Sequence, residues 1–140
     1  MIIGIDVHGV VDKYPKIFSV FTRNAAEKGH RIHIITGQSK EEVLPELTQY
    51  NIIYDHIFSI VDYHKTIGTK MWLGPKGTWY CDDVTWNRTK GDYIAKKQIA
   101  VHFDDTVDYA NWIPDTCTFI LVPKTNFQAF MEVVAGQLFI

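Results

Sequence analysis

Asp6, Thr36 and the pair Asp104-Asp105 each stand directly after an apolar run of the chain, at residues 2–5, 32–35 and 99–103. A lone acid in such a place is ordinarily a helix cap or a loop residue. Several carboxylates brought to one edge are a different matter, because they repel one another and raise each other's pKa unless a cation neutralises them. Magnesium suits such a set: it takes hard oxygen ligands, keeps several waters, and completes its octahedron with a substrate phosphate. Lys90, shortly before the last of these runs, adds positive charge. Carboxylates, a hydroxyl and a lysine around magnesium are the parts of phosphoryl-group chemistry.

The elements that must position these residues are legible in the pattern. Five short apolar runs, at residues 2–7, 32–35, 57–61, 99–103 and 118–122, are rich in β-branched and aromatic residues and do not alternate. That is the signature of strands buried on both faces of a parallel sheet. Helices fill the intervals. Pro15 suits a first helical residue, with Ile17, Phe18, Phe21 and Ala25 as an apolar stripe ended by Gly29. Ser39 with Glu42 makes a capping-box pattern that opens a second helix through Val43 and Leu47 to about Tyr50. A third runs from near Thr89 to Lys97. At the end, Phe127, Phe130, Met131, Val134 and Leu138 recur at helical spacing and read as core or as the contact of a homodimer.

This alternation predicts a doubly wound, mainly parallel five-stranded α/β sheet with helices on both faces, in a single domain over residues 1–140. Ligands of such sheets bind at the carboxyl ends of the strands, where Asp6, Thr36 and Asp104 stand. Residues 69–88 break the alternation with Gly74-Pro75, Gly77 and the aromatics Trp72, Trp79, Tyr80 and Trp86. They read as a loop or hairpin insertion near the active site.

Composition narrows the classes. The 140 residues are 46% hydrophobic and 21% charged with a net charge of -2, the profile of a globular protein and not of a disordered one. No block of Lys or Arg exceeds two residues, so composition calls for neither a nucleic-acid nor a membrane partner. Cys81 and Cys117 lack metal-ligand or disulfide-framework spacing, which points to a reducing, cytoplasmic setting. Asp6 interrupts the first apolar run too early for a signal peptide, and no apolar stretch is long enough to cross a bilayer.

Four motifs in order resemble the haloacid-dehalogenase (HAD) superfamily. Ile2-Ile3-Gly4-Ile5-Asp6-Val7-His8-Gly9-Val10 is similar to its opening motif, a strand followed by Asp-x-Asp-Gly-Thr/Val. Ile32-His33-Ile34-Ile35-Thr36-Gly37 is similar to its second, and Lys90 stands where the family has a lysine. Ile99-Ala100-Val101-His102-Phe103-Asp104-Asp105 is similar to its acidic fourth motif, with Asp108 fitting an Asp-x-x-x-Asp variant. The resemblance implies a capless magnesium-dependent phosphomonoester hydrolase. Asp6 would be the nucleophile that forms an aspartyl-phosphate, with Thr36 and Lys90 stabilising the transferring group and Gly9 and Gly37 lining the phosphate. Magnesium would be held by Asp6, the backbone carbonyl of His8, and Asp104, with Asp105 acting through the metal's water or orienting Lys90.

Asp12, after the glycine of the first motif, is similar to the nucleotidase and polynucleotide-phosphatase branches, which implies a phosphorylated small molecule or a nucleic-acid end as partner. One departure stands out: His8 occupies the place of the family's second aspartate, the general acid and base. An imidazole exchanges protons near neutrality and can take that role. The alternative is a catalytically weakened member serving as a binding or regulatory protein. Asp82-Asp83 is set aside as the acidic motif because two strands' worth of sequence follow it. His30, His33, His56, His64 and His102 read as structural or surface histidines. A phosphoacceptor receiver domain would place its acidic pair early and its lysine last, the reverse of this order.

Overall fold

The structure is a computed structural model that describes residues 1–138; the side chains of residues 135–138 and residues 139–140 lie outside the described residues. In chain order the elements are β1 (Ile2–Ile5), α1 (Pro15–Glu27), β2 (Arg31–Thr36), α2 (Lys40–Gln49), β3 (His56–Ser59), α3 (Ile60–Ile67), β4 (Trp72–Leu73), β5 (Trp79–Tyr80), α4 (Asp83–Lys97), β6 (Val101–Asp104), β7 (Thr118–Leu121) and α5 (Phe127–Leu138). Among the described residues, five strands form one sheet in the order β3-β2-β1-β6-β7, every neighbouring pair parallel. The expected doubly wound α/β fold is present.

Alternation along each strand sorts the side chains into two layers. Ile3, Ile5, Ile32, Ile34, Val101 and Phe103 pack with Phe18 and Phe21 of α1, Val43 and Leu47 of α2, and Phe127 and Met131 of α5. The end-of-chain stripe is thus core where it is described. On the other face Ile35 packs with Ile94 of α4 and Ile99, while Ile60, Val61 and Trp86 join α3 to α4. Among the described residues, no helix is long and apolar enough to cross a membrane.

The caps show why the helices begin where they do. Ser39 accepts a hydrogen bond from the Glu42 amide at 3.3 Å, as the capping-box pattern requires. Ser59 accepts from Asp62 at 3.0 Å and Asp82 from Thr85 at 2.9 Å. Each such bond satisfies an orphan amide and stabilises its helix by roughly 1 kcal/mol. The last two caps correct the sequence reading. Ile60 and Val61 belong to α3, a helix the apolar run concealed, and not to the third strand. Residues 69–88 hold a hairpin, β4-β5, but it gives way to α4 at Asp83, well before the start near Thr89 that the sequence suggests.

Candidate active site

Register brings the carboxyl ends of β1, β2 and β6 side by side. Ile5 pairs with Ile34 and with Phe103, so Asp6, Thr36 and Asp104 gather at one edge. The Asp6 amide donates to the Phe103 carbonyl at 3.0 Å, which ties the first acid to the strand that carries the second.

Lys90 arrives from α4. Its neighbour Gly91 lets that helix approach the short 3-10 helix Val107–Trp112, because a Cβ at position 91 would collide with the Trp112 carbonyl oxygen. Lys90 Nζ then lies 2.8 Å from Asp104 Oδ2 and 3.3 Å from Asp6 Oδ1, with only 1% of the side chain exposed. The Tyr109 ring covers it, centroid 4.2 Å from Nζ, and the Trp86 indole N–H holds the Tyr109 hydroxyl at 3.0 Å.

Asp104 is fully buried and held from several directions. Oδ2 accepts Lys90 and also His102 Nε2–H at 2.9 Å, while Oδ1 accepts the Thr106 amide at 3.1 Å. A carboxylate only accepts, so the His102 proton is on Nε2. Asp105 is exposed, its Oδ1 accepting the Thr106 hydroxyl at 3.1 Å. Lys90 is therefore oriented by Asp104 and Asp6, not by Asp105. Asp108 is exposed on the 3-10 helix and lies outside the acidic cluster.

Thr36 is buried, and its hydroxyl oxygen accepts the Gln38 amide at 3.2 Å, leaving its hydrogen to donate elsewhere. Gly37 lies under the Trp86 ring, whose Cζ2 would be 3.0 Å from a Cβ there. Gly9 has φ of 84°, in the left-handed region, and a Cβ would overlap the Asp105 carboxylate. Its glycine is required by the turn and by that carboxylate together.

The His8 side chain lies outside the Asp6, Asp104 and Asp105 cluster and is engaged by α2. Its Nε2 lies 3.0 and 3.3 Å from the two Glu46 carboxylate oxygens of α2, and the ring is half-exposed. Asp12 Oδ1 accepts the Gly9 amide at 2.7 Å and closes the turn between them.

The charges do not balance. Burial pushes the Asp6 carboxyl up to about 8, with Lys90 opposing the shift and Asp104 and Asp105 reinforcing it. Burial acts the same way on Asp104, but Lys90 and the His102 bond overcome it and hold that carboxyl well below the ordinary range. Burial likewise opposes the Lys90 charge, and Asp6 and Asp104 more than restore it. Burial, with one ammonium shared between Asp6 and Asp104, thus leaves a proton on Asp6 near neutrality. An oxygen from each of Asp6, Asp104 and Asp105 lies within 4.8 Å of the others. An all-oxygen set short of positive charge fits a hard divalent cation such as magnesium.

Three contributors were missed in the sequence. His102 had a signal: two residues before Asp104 on a strand, it must share the acid's face. Glu46 and Tyr109 had none, since each reaches the site through tertiary packing, whereas Trp86 was among the aromatics expected near the site. No protein-family model matches this chain, and no curated protein matches it either.

Proposed function

We propose that this chain is a magnesium-dependent phosphomonoester hydrolase of the HAD type, working through an aspartyl-phosphate on Asp6. The observation that carries the reading is the buried Lys90 ammonium placed between Asp6 and Asp104 at the carboxyl edge of a parallel sheet.

When bound, magnesium supplies charge neutralisation at the phosphoryl oxygens. With its proton released to solvent as the cation binds, the Asp6 carboxylate would attack phosphorus while the P–O bond to the leaving group breaks; water would then break the aspartyl-phosphate bond, freeing inorganic phosphate and the Asp6 carboxylate. Thr36 donates its free hydroxyl hydrogen to a phosphoryl oxygen, and Lys90 offsets charge on the nucleophile and the transferring group. Gly9 and Gly37 let the Asp105 carboxylate and the Trp86 ring close against the backbone beside the phosphate. His8 donates a proton to the leaving alcohol and later takes one from the hydrolytic water. The substrate is a phosphorylated small molecule or a nucleic-acid end.

One observation favours a second reading, that of a weakened member serving as a binding protein: the His8 ring is engaged by Glu46. The deciding experiment measures magnesium-dependent hydrolysis of an aryl phosphate, then of nucleotides and of 5′- and 3′-phosphorylated oligonucleotides. Turnover supports the hydrolase. Magnesium binding without turnover on the whole panel supports the binding protein.

A further inference from the structure

His102 occupies a position that packing alone would give to an apolar residue. It is fully buried, with the Phe119 ring centroid 6.1 Å away. Among the buried side-chain nitrogen and oxygen atoms of the described residues, its Nδ1 is the one without a well-formed hydrogen bond; what it meets is the backbone of Gly4. Native structures seldom leave such an atom unpaired, because it forfeits hydration and receives nothing in return.

The ring also constrains its neighbour. Gly4 sits in the central strand directly across from His102, and a Cβ there would stand 2.7 Å from His102 Nδ1 and 2.8 Å from Ile35 Cδ1. A glycine inside a strand weakens it and commonly marks a close approach. Two unfavourable features, a nitrogen with no well-formed hydrogen bond and a central glycine, thus accompany one imidazole.

What the imidazole supplies is Nε2–H, donated to Asp104 Oδ2 at 2.9 Å. Lys90 from α4 reaches the same oxygen, and the Thr106 amide reaches the other. Donors from a strand, a helix and a loop together fix the plane of this carboxylate. Removal of the imidazole donor leaves rotation opposed by the other two alone.

We propose that His102 is a positioning residue for the cation site: its Nε2–H locks the Asp104 carboxylate so that one oxygen stays within reach of a magnesium ion shared with Asp6 and Asp105. This rests on the magnesium reading above. Groups that hold a metal's ligands in place typically account for roughly 10–100-fold in affinity.

The test is magnesium affinity of the full chain by titration calorimetry, for wild type, His102→Gln and His102→Asn, with each variant's cooperative thermal transition recorded. A Gln amide nitrogen reaches about as far as Nε2, whereas an Asn nitrogen reaches only about as far as Nδ1. The expected result is a Kd raised roughly 10–100-fold in His102→Asn and largely restored in His102→Gln. A folded His102→Asn that binds magnesium like wild type overturns the proposal and leaves the magnesium reading intact. A wild type that binds no magnesium overturns both. Should the variants fail to fold, nitrogen NMR of the wild-type imidazole decides. His102 resonances of the Nε2–H tautomer that shift as magnesium saturates the protein support the role, and resonances indifferent to magnesium refute it.

Discussion

His8 Nε2 lies 3.0 Å from Glu46 Oε2, so the residue that replaces the second aspartate of the opening motif is held by a carboxylate of α2. A carboxylate partner fixes ring orientation and leaves Nδ1 as the other nitrogen for exchange with a leaving group. In His8→Ala the hydrolysis rate is expected to fall on the order of a hundredfold or more, the usual contribution of a general acid. In His8→Asp the rate is expected to be kept or increased. Steady-state kcat on an aryl phosphate reads both; a wild type inert on every phosphoester beside an active His8→Asp marks lost catalysis.

Asp6 sets the pH behaviour of the metal-free protein. Its carboxyl is raised in the fold from 3.8 to about 8, so between those values the folded chain binds more protons than the unfolded one. The linkage sign follows: this contribution is fully present below about 4 and is lost as pH rises through about 8. Unfolding midpoints in chelator are expected to fall across that window in wild type, and this component of the fall to be absent in Asp6→Asn. Magnesium binding at pH 7 is expected to release up to one proton per chain, read from calorimetry in buffers of different ionisation enthalpy.

Lys90 joins two buried carboxylates, and its removal leaves them with no ammonium between them. Lys90→Met is expected to destabilise the fold by about 3–5 kcal/mol, the range for breaking a buried pair from one side. Asp6 carries a proton near neutrality, so the uncompensated charge is that of Asp104; its protonation relieves the cost, and the loss should shrink at low pH. Denaturant unfolding at pH 7 and pH 4 checks the magnitude and its direction.

The parallel sheet was legible because its strands are buried on both faces and therefore read as unbroken apolar runs. Asp6, Thr36 and Asp104 were legible because such sheets place chemistry at their strand ends, and Lys90, carried by α4, through its place in the family resemblance; the structure brings these four to one edge. The helix α3 was not, because Ile60 and Val61 continue the apolar run of β3 and only the Ser59 cap marks the change. The start of α4 was obscured by Trp79, Tyr80 and Trp86, which read as one aromatic loop although Trp86 is helical. His102 was set among the structural histidines because strand parity was not applied to it. Glu46 and Tyr109 lie far in sequence from the residues they touch, and local pattern carries no information about them.

The central claim is that Asp6 becomes covalently phosphorylated. The direct measurement is to mix the full chain with a labelled phosphomonoester and magnesium, quench in acid, and map the label by peptide mass spectrometry. Label is expected on the Asp6 carboxylate, dependent on magnesium and absent in Asp6→Asn. Turnover by the wild type with no label on Asp6, or label undiminished in Asp6→Asn, would contradict it.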